Sequence, residues 1–133
     1  MIRGKVPDIK KSLSLVESAK RDMKFTLTLP LTRESANTII RNIYECFRML
    51  GEALLTAKGI ESKDHVMPIN ELMNLKINTK RPLMVLDGLR RLRRNINYYG
   101  YMANVEEAKD IMDFARFCFE PVSKEVTLIL EKR

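Results

Sequence analysis

The sequence predicts an all-α protein, an up-and-down four-helix bundle with an additional short helix. Two observations carry that expectation. Apolar residues recur alternately four and three apart over two long stretches, 36–57 and 105–129, and that spacing keeps one stripe of a helix turned toward a partner. Helix punctuation then falls at the ends of these patterns, at Gly59, at Gly100 and at the pair Asn104 and Glu107. The 133 residues are read as a single domain, 1–133, because a chain of this length buries a hydrophobic core without disulfide or metal staples. No repeat, low-complexity segment or linker divides it.

The first element is a helix from about Asp8, with Ile9, Leu13, Val16 and either Ala19 or Lys20 along it. "KFTLTLPLT" follows, alternating Phe25, Leu27, Leu29 and Leu31 with mostly threonine, the period of two that marks a strand. A lone strand has no partner here. The segment is therefore an extended crossover, or a helix end stopped before Pro30, since proline disfavours helical backbone in the residue before it.

Ala36, Ile40, Ile43, Phe47, Leu50, Leu54 and Ala57 form the strongest stripe and mark the central helix. Thr32 is its expected N-cap, the hydroxyl accepting from a free amide, and Glu34 suits the positive end of the helix dipole. Gly59 is the expected terminator. "PINELMNLKI" reads as a short helix with Pro68 in its first turn, where the missing amide costs little. Over residues 81–99, Val85, Leu89, Leu92, Ile96 and Tyr99 keep helical spacing, with Gly100 as the stop. Asn104 with Glu107 resembles a capping box ahead of Val105, Ala108, Met112, Ala115, Phe119, Val122, Val126 and Ile129. Pro121 falls inside that pattern and predicts a kink or a break.

A net charge of +7 favours a polyanionic or acidic partner, through affinity and encounter rate rather than through fold. No apolar run approaches the ~20 residues of a membrane span, and "MIRGKVPDIKK" lacks the apolar stretch of a secretory signal. The expectation is a cytoplasmic protein with no membrane association. Cys46 and Cys118 lack Cys-x-x-Cys spacing and read as buried hydrophobes of a reducing compartment. One histidine and no cysteine cluster argue against a classical zinc site, and no cofactor is implied.

"RRLRRNINYYGYM", residues 90–102, concentrates the polar chemistry of the chain. At about 100° per residue, Val85, Leu89, Leu92, Ile96 and Tyr99 fall in one arc. Arg90, Arg94, Asn97 and Tyr98 fall opposite, with Arg93 and Arg91 at the two borders. A solvated basic face is what amphipathic helices ordinarily show. A binding face is the sharper reading, because guanidinium forks hold phosphate bidentately and Tyr98 and Tyr101 offer rings on which a base can stack. Tyrosines also suit a subunit interface.

In this segment the chain resembles the HEPN superfamily (higher eukaryotes and prokaryotes nucleotide-binding), helical bundles whose penultimate long helix ends in an Arg-Asn-x-x-x-His stretch. Here it reads "RRNINYYG", residues 93–100, followed by a capped terminal helix. "YECFRMLGEALLTAKGIESKDH", residues 44–65, is similar to the family's long second helix and the turn after it. The resemblance covers roughly residues 10–130 and implies a HEPN-like domain that pairs as a homodimer. Catalytically active members are metal-independent ribonucleases that use the arginine and histidine. The arginine position falls on Arg93, the asparagine is replaced by Arg94, and the histidine position falls on Tyr98, or on Asn97 in the shorter variant. Tyrosine titrates near 10 and asparagine not at all, so neither replaces an imidazole at neutral pH. His65 is the sole histidine and is expected to serve its local turn as a structural or capping residue.

Two functions follow. One is a non-catalytic module that holds RNA, a nucleotide or an acidic protein on Arg90, Arg93, Arg94, Asn97, Tyr98 and Tyr101. By the same resemblance its partner could be a nucleotidyltransferase, the two forming a toxin–antitoxin pair. The other is a ribonuclease in which Arg93 stabilises phosphorane charge while Tyr98 and Asn97 position the 2′-hydroxyl.

Overall fold

The computed structural model describes residues 6–133; residues 1–5, the start of the segment read for a secretory signal, lie outside the described residues. Among the described residues the protein is all-helical, with no strand. Its elements are α1 (Ile9–Thr26), α2 (Ala36–Lys58), α3 (Val66–Met73), α4 (Val85–Tyr99) and α5 (Val105–Glu131). None of these helices is long and apolar enough to cross a membrane.

The stripe predicted for α2 is buried at every position, but burial does not stop there: Ile39, Tyr44, Cys46, Gly51, Ala53 and Leu55 are covered too. The reason is its place in the fold. α2 touches each of the other four helices, while α1 also lies against α5 and α3 against α4. A helix surrounded in this way needs apolar residues around most of its circumference. Phe47 of α2 forms the aromatic centre, 5.5 Å from the Phe114 ring and 5.4 Å from the Phe119 ring of α5, the latter edge-on.

α1 starts where expected, the Asp8 carboxylate accepting from Lys11 N at 2.9 Å. Its inner face differs from the prediction. Ser12, Val16, Ala19, Met23 and Thr26 are buried, whereas Leu13 is 40% exposed. The Ser12 hydroxyl donates to Ala53 O of α2 at 2.8 Å. Small residues at positions 12 and 19 let the two helices approach, and that approach selects the face.

The strand-like "KFTLTLPLT" is a helix end: α1 runs through Thr26, its C-cap is Leu27, and the chain has turned before Pro30. The N-cap of α2 is Ser35, without a side-chain cap bond, and not Thr32 as expected; Thr32 lies in the turn before the helix, its Oγ1 accepting from Ser35 N at 3.1 Å. Ser35 Oγ returns the bond by accepting from Thr32 N at 2.9 Å. Gly59 and Gly100 end their helices with φ of 74° and 67°, the left-handed conformation that glycine adopts without a Cβ penalty. Asn104 and Glu107 form a complete capping box.

α5 continues through Pro121, so a break does not occur there. The carbonyl that the proline leaves without a donor belongs to Phe117, on an exposed part of the helix, where water can replace the missing amide. Cys46 and Cys118 are buried free thiols, and burial first, then Asp22 and Glu45, pushes Cys46 up to about 12.

Candidate functional site

The buried arc of α4 is Leu86, Leu89 and Ile96, with Val85 and Leu92 only partly covered. At about 100° per residue Arg93 lies inside that arc, not at a border of the polar face. Tyr99 falls outside it and is 69% exposed, contrary to the sequence expectation. The Arg93 stem therefore leaves α4 on its inner side. Its guanidinium comes to rest over Tyr44 of α2, 5.4 Å from the ring centroid, and 5.9 Å from the Tyr98 ring one turn along α4.

Tyr44 is only 1% exposed. A buried phenol needs a partner for its hydroxyl, and His65, on the turn before α3, provides it: Tyr44 Oη and His65 Nδ1 are 3.0 Å apart. The two rings meet at 5.8 Å between centroids. The expected capping role does not belong to His65. It occupies the N-cap position of α3 but makes no side-chain cap bond. The Asp64 carboxylate accepts instead from Val66 N at 3.0 Å and from Met67 N at 3.1 Å. That leaves the imidazole to close over Tyr44.

The electrostatics of the cluster follow from its burial and its cations. His65 lies below the ordinary 6.5, first because burial disfavours the charged ring, then because the Arg93 and Arg48 guanidiniums repel it; Glu45 and Asp64 oppose them. The neutral ring is thus favoured at physiological pH, and it shares a single hydrogen bond with the Tyr44 hydroxyl. Burial dominates at Tyr44 as well, pushing the phenol up to about 12 although Arg93 and Arg48 pull the other way.

The remaining predicted residues are placed differently from one another. Asn97 accepts from Arg41 Nε of α2 through its Oδ1 at 2.7 Å, which puts a further cation beside the cluster. Tyr98 is 68% exposed, with Arg93 near its ring. Arg94 is exposed. Among the described residues neither Arg93 nor Arg94 has a carboxylate within ion-pair distance. Arg90 is already held, Nη2 lying 3.0 Å from Asp87 Oδ1, and Arg91 shares the same carboxylate at 3.0 Å. Tyr101 turns away to α5, donating to Glu107 Oε1 at 2.6 Å. The structure thus gathers Arg93, Asn97 and Tyr98 with Arg41, Tyr44 and His65, with Arg94 exposed on the same helix, while Arg90 and Tyr101 are engaged elsewhere.

Sequence reasoning missed Tyr44, Arg41 and the position of His65. One signal was available: Tyr44 is the tyrosine of α2, next to Ile43 of its apolar stripe, and a buried hydroxyl predicts a polar partner from another element. Chemically, the arrangement offers guanidinium donors not spent on carboxylates, a solvent-facing aromatic ring and a neutral imidazole. These suit binding of a phosphate group with an attached base. Among the described residues no three His, Cys, Asp or Glu side chains are grouped as metal ligands. Comparison with protein-family models, with curated proteins and with solved structures found no match to this chain.

Proposed function

We propose that the chain is a HEPN-like binding module that holds RNA or a nucleotide on α4 and does not itself turn it over. The observation that carries this reading is Arg93, laid on the Tyr44 and Tyr98 rings with no carboxylate neutralising it among the described residues. Packing against flat rings orients the guanidinium while leaving its edge donors for a phosphate. Arg94 adds charge, and Tyr98 offers a stacking face.

The four longer helices, with α3 as the short one, support an up-and-down four-helix bundle in this reading. Exposed Tyr98, Tyr99 and Met102 support a homodimer. The remaining elements of the proposal are a cytoplasmic location and a nucleotidyltransferase partner in a toxin–antitoxin pair, which rest on the resemblance alone.

The test is binding of single-stranded RNA, followed by fluorescence anisotropy at several salt concentrations. Arg93→Ala and Arg94→Ala are each expected to weaken binding and to lower the salt slope by about 0.7 for each phosphate no longer neutralised. Arg90→Ala is expected to change it less, because that guanidinium is already engaged by Asp87. Binding that is insensitive to both Arg93 and Arg94 refutes the assignment.

A metal-independent ribonuclease is the second reading, and the bond between Tyr44 Oη and His65 Nδ1 favours it. It brings the one imidazole of the chain to the ring on which Arg93 rests. Cleavage of RNA would then fall with His65→Ala, with Arg93→Ala and with Tyr98→Phe. Equal cleavage by all three and by the wild type assigns the activity elsewhere.

A further inference from the structure

Away from the arginine cluster, α1 and α5 border an open trough of about 570 Å³, within the ~300–1,000 Å³ usual for ligand clefts. Met23 and Leu27 from the first helix and its cap, with Ala115 and Phe119 from the last, give it an apolar floor. Its hydroxyls are spent internally: Ser123 Oγ donates to Glu120 O at 3.1 Å and Thr127 Oγ1 to Ser123 O at 2.9 Å. Leu128 stands on the lip, 42% exposed. From Ala115 to Glu131 the trough follows α5 for roughly 24 Å, at ~1.5 Å per residue about four helical turns.

The rim is predominantly basic. Lys20, Lys24, Arg116 and Lys124 border it, against Glu120 and Glu131. Lys20 and Arg116 have only exposed partners on their own helices, Glu17 at 3.9 Å and Asp113 at 3.4 Å. Lys24 and Lys124 have no carboxylate within ion-pair distance among the described residues.

We propose that this trough docks an amphipathic helix of a partner protein. Apolar side chains at i, i+3 or i+4 and i+7 sit on the Met23–Phe119 floor, and acidic residues flanking them meet Lys24 and Lys124. The length of the trough and its open side match a helix laid in a groove. An acyl chain would require enclosure, and a phosphodiester backbone would find a dry floor without donors. The surface is distinct from the α4 cluster, so the inference stands independently of RNA binding.

The experiment uses the full chain and a fluorescein-labelled helical peptide of about five turns, with leucines on one face and glutamates flanking them. A matched peptide carries lysine in place of each glutamate. Anisotropy is expected to show saturable binding of the glutamate peptide and at least tenfold weaker binding of the lysine peptide. Lys24→Glu combined with Lys124→Glu should reverse that order, and Leu128→Asp should weaken both peptides. All three positions are at the surface, and circular dichroism checks that each variant remains helical. Equal binding of the two peptides, binding unchanged in the charge-reversed variant, or displacement of the glutamate peptide by palmitate at lower concentration than by unlabelled peptide each overturns the proposal.

Discussion

His65 Nδ1 shares a hydrogen bond with a phenol that is 1% exposed, so its protonation state is tied to the integrity of that contact. Burial disfavours the charged ring first, and a proton would also add a cation near Arg93 and Arg48, which is why the ring titrates below 6.5. The sign for stability follows from linkage. Between the unfolded value near 6.5 and the lower folded one, the unfolded chain binds more protons, so acid favours unfolding. The contribution is complete above about 6.5 and declines as pH falls through the folded value. A chain with one histidine makes the measurement direct. Proton NMR of the imidazole should give a midpoint below 6.5, and Arg93→Ala should move it upward. An unshifted midpoint in the wild type, or a downward move in the variant, contradicts the geometry.

At the scale of the element, the approach of α3 to α2 rests on Gly51. A Cβ at that position would sit 2.0 Å from Pro68 O, a backbone atom that cannot swing aside. Gly51→Ala should therefore destabilise the fold despite the helix propensity it gains, by about 1–3 kcal/mol in the manner of an overpacked core. Urea denaturation would measure it, and a neutral or stabilising result would mean that α3 sits farther out.

Pattern and punctuation make the helices legible in the sequence, because periodicity and caps are local. The α2 stripe, the capping box of Asn104 and Glu107 and the stops at Gly59 and Gly100 all follow from residues within a few positions of each other. Features that depend on a partner element are not legible in this way. The face of α1 is selected by the Ser12 bond to Ala53 O, 41 residues away, and Leu13 is exposed as a result. On an isolated wheel Arg93 is a border residue, since nothing in residues 81–99 reveals that Tyr44 lies opposite. Likewise, the imidazole reaches the arginine cluster from the turn before α3, and no motif confined to one helix could contain it.

Taken as a whole, the molecule is organised around α2, and α4 is secured to that organisation at both ends. Ahead of α4, Arg81 grips Asp110 of α5 with two guanidinium nitrogens, at 2.8 and 3.3 Å. Behind it, Asn37 of α2 spans the connection to α5: its Oδ1 accepts from Ala103 N at 2.9 Å and its Nδ2 donates to Tyr101 O at 3.3 Å. One amide side chain thus supplies both a donor and an acceptor to a segment with no secondary structure of its own. The consequence concerns the order in which the fold comes apart. Fastening at both ends couples the opening of α4 to that of its flanking segments, and its backbone amides should exchange with solvent deuterium more slowly than they do once either fastening is removed. Asn37→Ala would unfasten one end and turn α4 into a separate opening unit. Its exchange would then outpace that of α2 in native conditions, while the slowest amides of the central helix kept their rates.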